Sequence, residues 1–262
     1  MGRAFKRLFF DIETSPNIVF SWNVGYDIRI NYENIIKERA IICICYKFEG
    51  SDHVYSLTWD KGNDKAMLKK FAGIVNEADE VIGHNSDRFD IRWVRTRCIF
   101  HGISMTHDIK SIDTLKAARG KFKFNSNKLD YIGKYLGVGE KMETGGFDLW
   151  KDIVMKNDKK ALDKMVSYCM QDVTLLEKVF QRINPYIPAK TNAAIALDRS
   201  HIHCPECLSE RTVVNKHRVS AAGHKSVGMQ CRDCGKYFGI SETKYDKAMR
   251  KEIMDRVRGI QK

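Results

Sequence analysis

Short apolar blocks dominate the first part of the chain, and apolar positions at helical spacing dominate the middle. Leu8–Glu13 reads as a buried strand, Ile41–Phe48 and His53–Trp59 as β-rich runs joined by a turn through Gly50 and Ser51, and Glu80–His84 as a further short strand. Helical spacing covers Lys65–Ala78, Asp90–His101, Asp113–Arg119, Leu129–Leu136 and a long segment from Lys159 to Ile183. In that segment Leu162, Met165, Val166, Cys169, Val173, Leu176, Phe180 and Ile183 form one apolar stripe. Residues 17–32, which include Trp22 and Gly25, carry no period and are predicted as a long loop near the end of the first strand. A meander of strands followed by strands interleaved with helices predicts an α/β fold, a mixed sheet flanked by helices. The prolines in Asn184-Pro-Tyr-Ile-Pro188 end the long helix. Beyond them Thr212–Val214 and Val227–Gln230 are plausible hairpin strands, and a basic helix is predicted near Tyr245–Arg258. The organisation expected is a large domain over 1–185, a linker over 186–200 and a small domain over 201–262.

Composition narrows the classes. The 262 residues suffice for one sizeable core and an appendage. With 43% hydrophobic and 30% charged residues, 18 Gly and only 4 Pro, the chain is neither disordered nor collagenous. No apolar tract has membrane-spanning length, and the N-terminal residues run into Leu8-Phe9-Phe10 without a signal-peptide pattern. The expectation is no membrane partner and a cytoplasmic, reducing location, the host cytoplasm if the chain is phage-encoded.

The formal net charge is +12, divided as +5 over residues 1–189 and +7 over 190–262. Such an excess attracts polyanions, nucleic acid foremost. A general solubility bias or attraction to a membrane surface gives the same sign, so the motifs must decide.

Three acidic elements carry the chemistry. Asp11 and Glu13 stand at i and i+2 of a strand and point to one face, an arrangement costly among apolar neighbours unless a cation offsets the charge. Two solvated acids at a strand end would look the same. Asp90 closes Asn85-Ser-Asp-Arg-Phe89-Asp90, where a strand gives way to a helix, a common ligand position in open α/β sheets; Asp87 is assigned a capping role at that helix. In Tyr168-Cys-Met-Gln-Asp172 the tyrosine and aspartate are four apart and share a helix face at the edge of the apolar stripe.

Together these elements resemble the DEDD superfamily of 3′-to-5′ exonucleases. Asp11-Ile-Glu13 is similar to its D-x-E first motif, and Asn85-Ser-Asp-Arg-Phe89-Asp90 to the N-x3-F-D second motif of proofreading domains in family-B DNA polymerases. Tyr168-Cys-Met-Gln-Asp172 resembles the Y-x3-D third motif of the tyrosine-bearing DEDDy branch; no histidine in this region has an aspartate five residues on, as the histidine branch requires. The resemblance implies a ribonuclease-H-like fold and two divalent ions, Mg²⁺ or Mn²⁺, held by Asp11, Glu13, Asp90 and Asp172. It also implies that the Tyr168 phenol orients the attacking water. An unperturbed phenol, with a pKa of about 10, is too weak an acid to serve as a strong base near neutrality. Ile112-Asp113-Thr114-Leu115 and Asn127-Lys-Leu-Asp130 also resemble stretches of this superfamily, but helix capping explains Asn127 and Asp113 equally well. Basic and aromatic residues alternate through Arg119–Asn125, a pattern that suits single-strand contact or an exposed edge.

Cysteines fall into two groups. Cys43, Cys45, Cys98 and Cys169 sit singly in apolar stretches and read as structural. Cys204-Pro-Glu-Cys207 and Cys231-Arg-Asp-Cys234, separated by 23 residues, have the spacing of a structural four-cysteine zinc site and resemble the zinc ribbons of nucleic-acid enzymes. Lys216, His217, Arg218 and Lys225 lie in the predicted hairpin and are expected, with Asn85 and Phe89, to contact nucleic acid. The function expected is 3′-to-5′ hydrolysis of single-stranded DNA. An RNA-trimming exoribonuclease, a structure-specific endonuclease and a nucleic-acid-binding module with secondary hydrolysis stay open, and protein partners are unknown.

Overall fold

A computed structural model describes residues 4–25, 27–142 and 146–260. These divide into two compact units, one of residues 6–179 and the other of residues 180–260 together with 4 and 5.

The first unit begins with strand β1 (Arg7–Thr14), then β2 (Ile18–Val19), β3 (Ile35–Lys37), β4 (Ile41–Phe48) and β5 (Tyr55–Thr58). Helix α1 (Lys65–Glu77), β6 (Glu80–Gly83), α2 (Asp90–Phe100), β7 (Ser111–Asp113), α3 (Thr114–Lys121), α4 (Leu129–Tyr135), α5 (Asp148–Lys156) and α6 (Lys159–Ile183) follow. Five strands form a mixed sheet in the order β5-β4-β1-β6-β7. β1 runs antiparallel to β4 and parallel to β6, and β6 runs parallel to β7. The change of direction follows from the connections: β4 and β5 are joined by a turn, whereas β6 is reached only after α1 and runs parallel to β1. Central placement explains why Leu8, Phe9, Phe10 and Ile12 are all buried. The sheet flanked by helices is the mixed α/β, ribonuclease-H-like architecture expected.

Four elements of the first unit differ from the sequence reading. β2 and β3 pair antiparallel, so the predicted 17–32 loop contains half of a small hairpin. β7 is only three residues long, too short for any period to register. α5 buries only Leu149 and Ile153, a single i, i+4 pair.

In the second unit β8 (Thr212–Val219), β9 (Lys225–Cys231) and β10 (Tyr237–Ser241) form an antiparallel sheet of order β10-β9-β8, preceded by the one-turn helix α7 (Ala193–Ala196) and followed by α8 (Glu242–Ile260). Its core is small: Ile202, Val227, Met229, Ile240 and Ala248, with Phe238, Tyr245 and Met249 packed against them. The cysteine cluster and hairpin fit a zinc ribbon. Among the described residues no helix is long and apolar enough to cross a membrane.

Candidate active site and metal centre

β1 pairs Asp11 with Cys45 and Glu13 with Cys43, so both acids project from one face before the register shifts after Glu13. α6 presents Asp172 to that same face. Carboxylate oxygens of Asp11, Glu13 and Asp172 converge within 4.8 Å of one another. Asp90, the first residue of α2, is tied to β1 by a 3.1 Å hydrogen bond from the Ile12 amide to its Oδ1. Its charge acts on both Asp11 and Glu13. The turn that delivers Asp90 is tight: a Cβ on Gly83 would lie 2.4 Å from that of Ser86, and Asn85 takes φ 68°.

Asp113 anchors this turn from β7. Its carboxylate accepts from the Asn85 and Asp87 amides and also caps α3 through Leu115 and Lys116, so the predicted cap is present with a second duty. The cap assigned to Asp87 is not formed: α2 has no side-chain cap, and Asp87 instead accepts from Ser111 Oγ at 2.5 Å and pairs with Lys116 at 2.6 Å. Nor does Asn127 cap α4; its carbonyl is held by His84 at 3.0 Å. Asn85 and Phe89 are half-buried in the turn, the Asn85 carbonyl accepting from the Phe89 amide at 3.0 Å.

The electrostatics are those of a site short of positive charge. Burial, and then the neighbouring carboxylates Asp90, Glu13 and Asp172, hold Asp11 well above the usual carboxylate range. Burial and Asp172 push Glu13 up to about 7, and burial pushes Asp90 up to about 7 against the amides that bind it. Asp172 is also raised by burial, though the ammonium of Lys141 pulls it back. Its Oδ1 is buried without a hydrogen-bond partner. A buried carboxylate oxygen left bare beside other acids fits a hard divalent cation, whose ligands are oxygens.

Folded-state values above the unfolded ones mean that the metal-free fold binds protons more tightly than the unfolded chain. The contribution of Glu13 and Asp90 is therefore full below about pH 4 and is lost as pH rises through 7. Zinc-loaded protein without Mg²⁺ should show a Tm that falls between pH 5 and 8, with Mg²⁺ restoring more at pH 8 than at pH 5. A Tm independent of pH and of Mg²⁺ in a thermal melt contradicts this.

Lys141 is the residue that sequence reading missed. Its ammonium pairs with Asp172 Oδ2, donates to the Tyr168 hydroxyl at 3.2 Å and lies 5.2 Å from the centre of that ring. Its amide is fixed by Asp130 at 2.8 Å, and the Glu140 carbonyl accepts from Gln171 at 3.1 Å. No motif flags a lysine 31 positions from its partner. As the cation beside Asp172, Lys141 competes with a metal for that carboxylate. Lys141→Met should tighten Mn²⁺ binding by about tenfold, ~1.4 kcal/mol, well within the Coulomb energy of one contact pair; weaker binding in a Mn²⁺ titration would show that the lysine supports the site instead.

Burial, and then the Asp172 charge, push the Tyr168 phenol up to about 12, so it is a protonated hydrogen-bonding group near neutrality. Beneath the acids the thiols of Cys43, Cys45 and Cys169 lie within 4.8 Å of one another, and Cys169 donates to the Asp11 carbonyl at 3.5 Å. Burial holds the Cys169 thiol well above its ordinary value, which keeps it a donor.

The four cysteines of the second unit also converge within 4.8 Å, with Cys204 and Cys207 each 3.6 Å from a partner sulfur, Cys234 and Cys231 respectively. Sulfurs on a tetrahedral zinc at about 2.3 Å stand roughly 3.8 Å apart, so the set fits. The Glu206 amide donates to Cys204 Sγ at 3.4 Å, a turn that presets the thiolate. The four predicted basic contacts do not form one surface. Lys216 pairs with Gly228 and Arg218 with Ser226 on one face, while His217 pairs with Val227 and Lys225 reaches Glu242 at 3.6 Å on the α8 side.

A family model of the RNase_H superfamily, RNase_H_2, matches residues 8–184. Among solved structures the chain is similar to the family B DNA polymerase from the hyperthermophilic archaeon Pyrobaculum calidifontis, with a TM-score of 0.52 and 15% identity over 70% of this chain. It spans 25% of that polymerase, and the likeness is one of fold. No curated protein matches the chain.

Proposed function

Because the chain belongs to the RNase_H superfamily, we propose that it is a metal-dependent nuclease of the DEDDy type, which trims single-stranded DNA from the 3′ end. The observation that carries this reading is the convergence of Asp11, Glu13 and Asp172 around a carboxylate oxygen that no protein group satisfies.

Asp11, Glu13, Asp172 and, behind them, Asp90 are the residues that would hold two Mg²⁺ or Mn²⁺ ions. Bound there, the ions supply the charge that acidifies a water and stabilises the leaving 3′-oxygen. The chain's own groups do the rest. Asp90 holds the edge of β1 through the Ile12 amide and so sets the aim of Asp11. Tyr168, protonated and beside Asp172, orients the attacking water through its hydroxyl and is not its base. Fold likeness to a DNA polymerase supports DNA as the polymer, and the +12 charge supports a polyanion of either sugar.

The organisation proposed is a hydrolytic domain over 1–185 and a zinc ribbon over 201–262 joined by 186–200, the ribbon holding one structural Zn²⁺ through Cys204, Cys207, Cys231 and Cys234. Lys216 and Arg218 are its proposed nucleic-acid contacts, with Asn85 and Phe89 near the acids. A cytoplasmic, reducing location suits the free thiols.

The test is a 5′-labelled single strand, as DNA and as RNA, incubated with Mg²⁺. A ladder shortening from the 3′ end of the DNA is expected. One internal cut would make the chain an endonuclease, a ladder on RNA alone an exoribonuclease, and a mobility shift without cleavage a binding module.

A further inference from the structure

Residues alternate along β9: Val227 and Met229 are buried in the core of the ribbon unit, so Ser226 and Gly228 belong to the opposite face of the sheet. On that face the register sets Gly228 directly beside Gly239 of β10 and Lys216 of β8. Two adjacent glycines leave a patch of bare backbone in the middle of the sheet. It forms the floor of a cavity of about 490 Å³, walled by Pro188, Pro205, Tyr237, Arg218 and Lys190.

The fold does not require the glycine at 239, whereas at 228 a side chain would press on the neighbouring strand. A Cβ on Gly239 would meet no atom within 4 Å, and one on Gly228 would have the Lys216 carbonyl as its nearest neighbour, at 3.3 Å. Neither has a positive φ. A glycine inside a strand weakens it relative to alanine and is found at bulges, at tight bends and where a ligand or another backbone approaches closely; the bulge in β8 lies beside Gly228, and nothing of the kind accounts for Gly239. The chemistry around the floor says what. Tyr237 is 54% exposed and offers a ring, Arg218 and Lys190 offer positive charge, and Asn215 at the bulge in β8 offers an amide. Among the described residues none that lines the cavity is acidic. Its volume falls within the roughly 300–1,000 Å³ range of small-ligand sites.

We infer that this hollow seats one nucleotide of a single strand, its base flat on the Gly228–Gly239 floor against the Tyr237 ring and its phosphate between Arg218 and Lys190. The proposal rests on nucleic acid being the substrate and adds a grip on a nucleotide within the ribbon itself. An aromatic face stacks any base, so the hold is independent of sequence, and the cations make it salt-sensitive.

The experiment measures anisotropy of a 5′-fluorescein-labelled dT12 strand bound to zinc-loaded, full-length protein carrying Asp11→Asn, without Mg²⁺. Gly239→Val fills the hollow with a side chain the folded strand has room for, and should weaken binding at least about tenfold while the zinc content stays at one per chain. Tyr237→Ala should weaken it about 5- to 150-fold, the span of one base–aromatic stack. Arg218→Ala should lower the slope of log K against log salt by about one. Unchanged affinity in zinc-replete Gly239→Val and Tyr237→Ala overturns the pocket and leaves the nuclease reading standing. A parent protein that does not bind the strand overturns both. Because this protein is not asked to cleave, failure of hydrolysis elsewhere does not touch the result.

Discussion

Asp11→Asn is expected to lower Mg²⁺-dependent phosphodiester hydrolysis by at least about a thousandfold, ~4 kcal/mol of transition-state stabilisation, and to leave the fold intact. The size follows from position. Asp11 feels the charges of Glu13, Asp90 and Asp172 together and sits on the middle strand of the sheet, where β4 pairs it with Cys45 and the carboxylate of Asp90 holds the next amide along, that of Ile12. An amide in its place keeps the shape and loses the charge that would bind a divalent ion. Because that charge is also what the metal-free fold tolerates poorly, Asp11→Asn should raise the Tm measured without Mg²⁺ even as activity disappears. Lost activity accompanied by a lowered Tm would mean that the aspartate is structural and the site lies elsewhere.

Cys231→Ser should unfold the ribbon while sparing the acid cluster. Five buried side chains are a poor core for the three strands and a helix that rest on them, and small domains of this kind depend on a staple. A structural zinc supplies about 10–16 kcal/mol of apparent binding free energy, all of it coupled to folding. Lys236 deepens that dependence: it is buried, and its ammonium reaches the Asn184 carbonyl and side chain at 2.8 Å and Glu206 at 3.2 Å, contacts that rely on the cysteine turns at 204–207 and 231–234 for their placement. The expected result is loss of one zinc per chain, rapid proteolysis beyond about residue 200, and persistent hydrolysis of a short strand at low salt, since Asp11, Glu13, Asp90 and Asp172 all belong to the 6–179 unit. Retention of protease resistance after zinc is gone would remove the metal from the account.

Much of this was legible in the chain because the signals are local. Strand alternation alone places Asp11 and Glu13 on one face, and helical spacing alone places Tyr168 and Asp172 on another, so the sequence needed only the sheet to bring the two faces together. The Cys-x2-Cys turns are equally local. What escaped is what depends on distance along the chain. Lys141 meets Asp172 on a segment that Asp130 holds at the Lys141 amide and Gln171 at the Glu140 carbonyl, and neither contact has a sequence signature. Asp87 looked like a cap because it precedes α2, yet Ser111 and Lys116 claim it from β7 and α3. Gly228 and Gly239 look like ordinary strand weaknesses until the register sets them side by side.

Four carboxylates, Asp11, Glu13, Asp90 and Asp172, are proposed as a seat for two divalent cations. Counting Mn²⁺ by electron paramagnetic resonance during titration of the zinc-loaded protein near pH 7.5 tests this most directly, since Mn²⁺ prefers oxygen ligands and leaves the thiolate site to zinc. Two ions per chain are expected, with at most one, and weakly held, in Asp11→Asn. No saturable Mn²⁺, or the same two ions bound equally well after Asp11 is replaced, contradicts that seat.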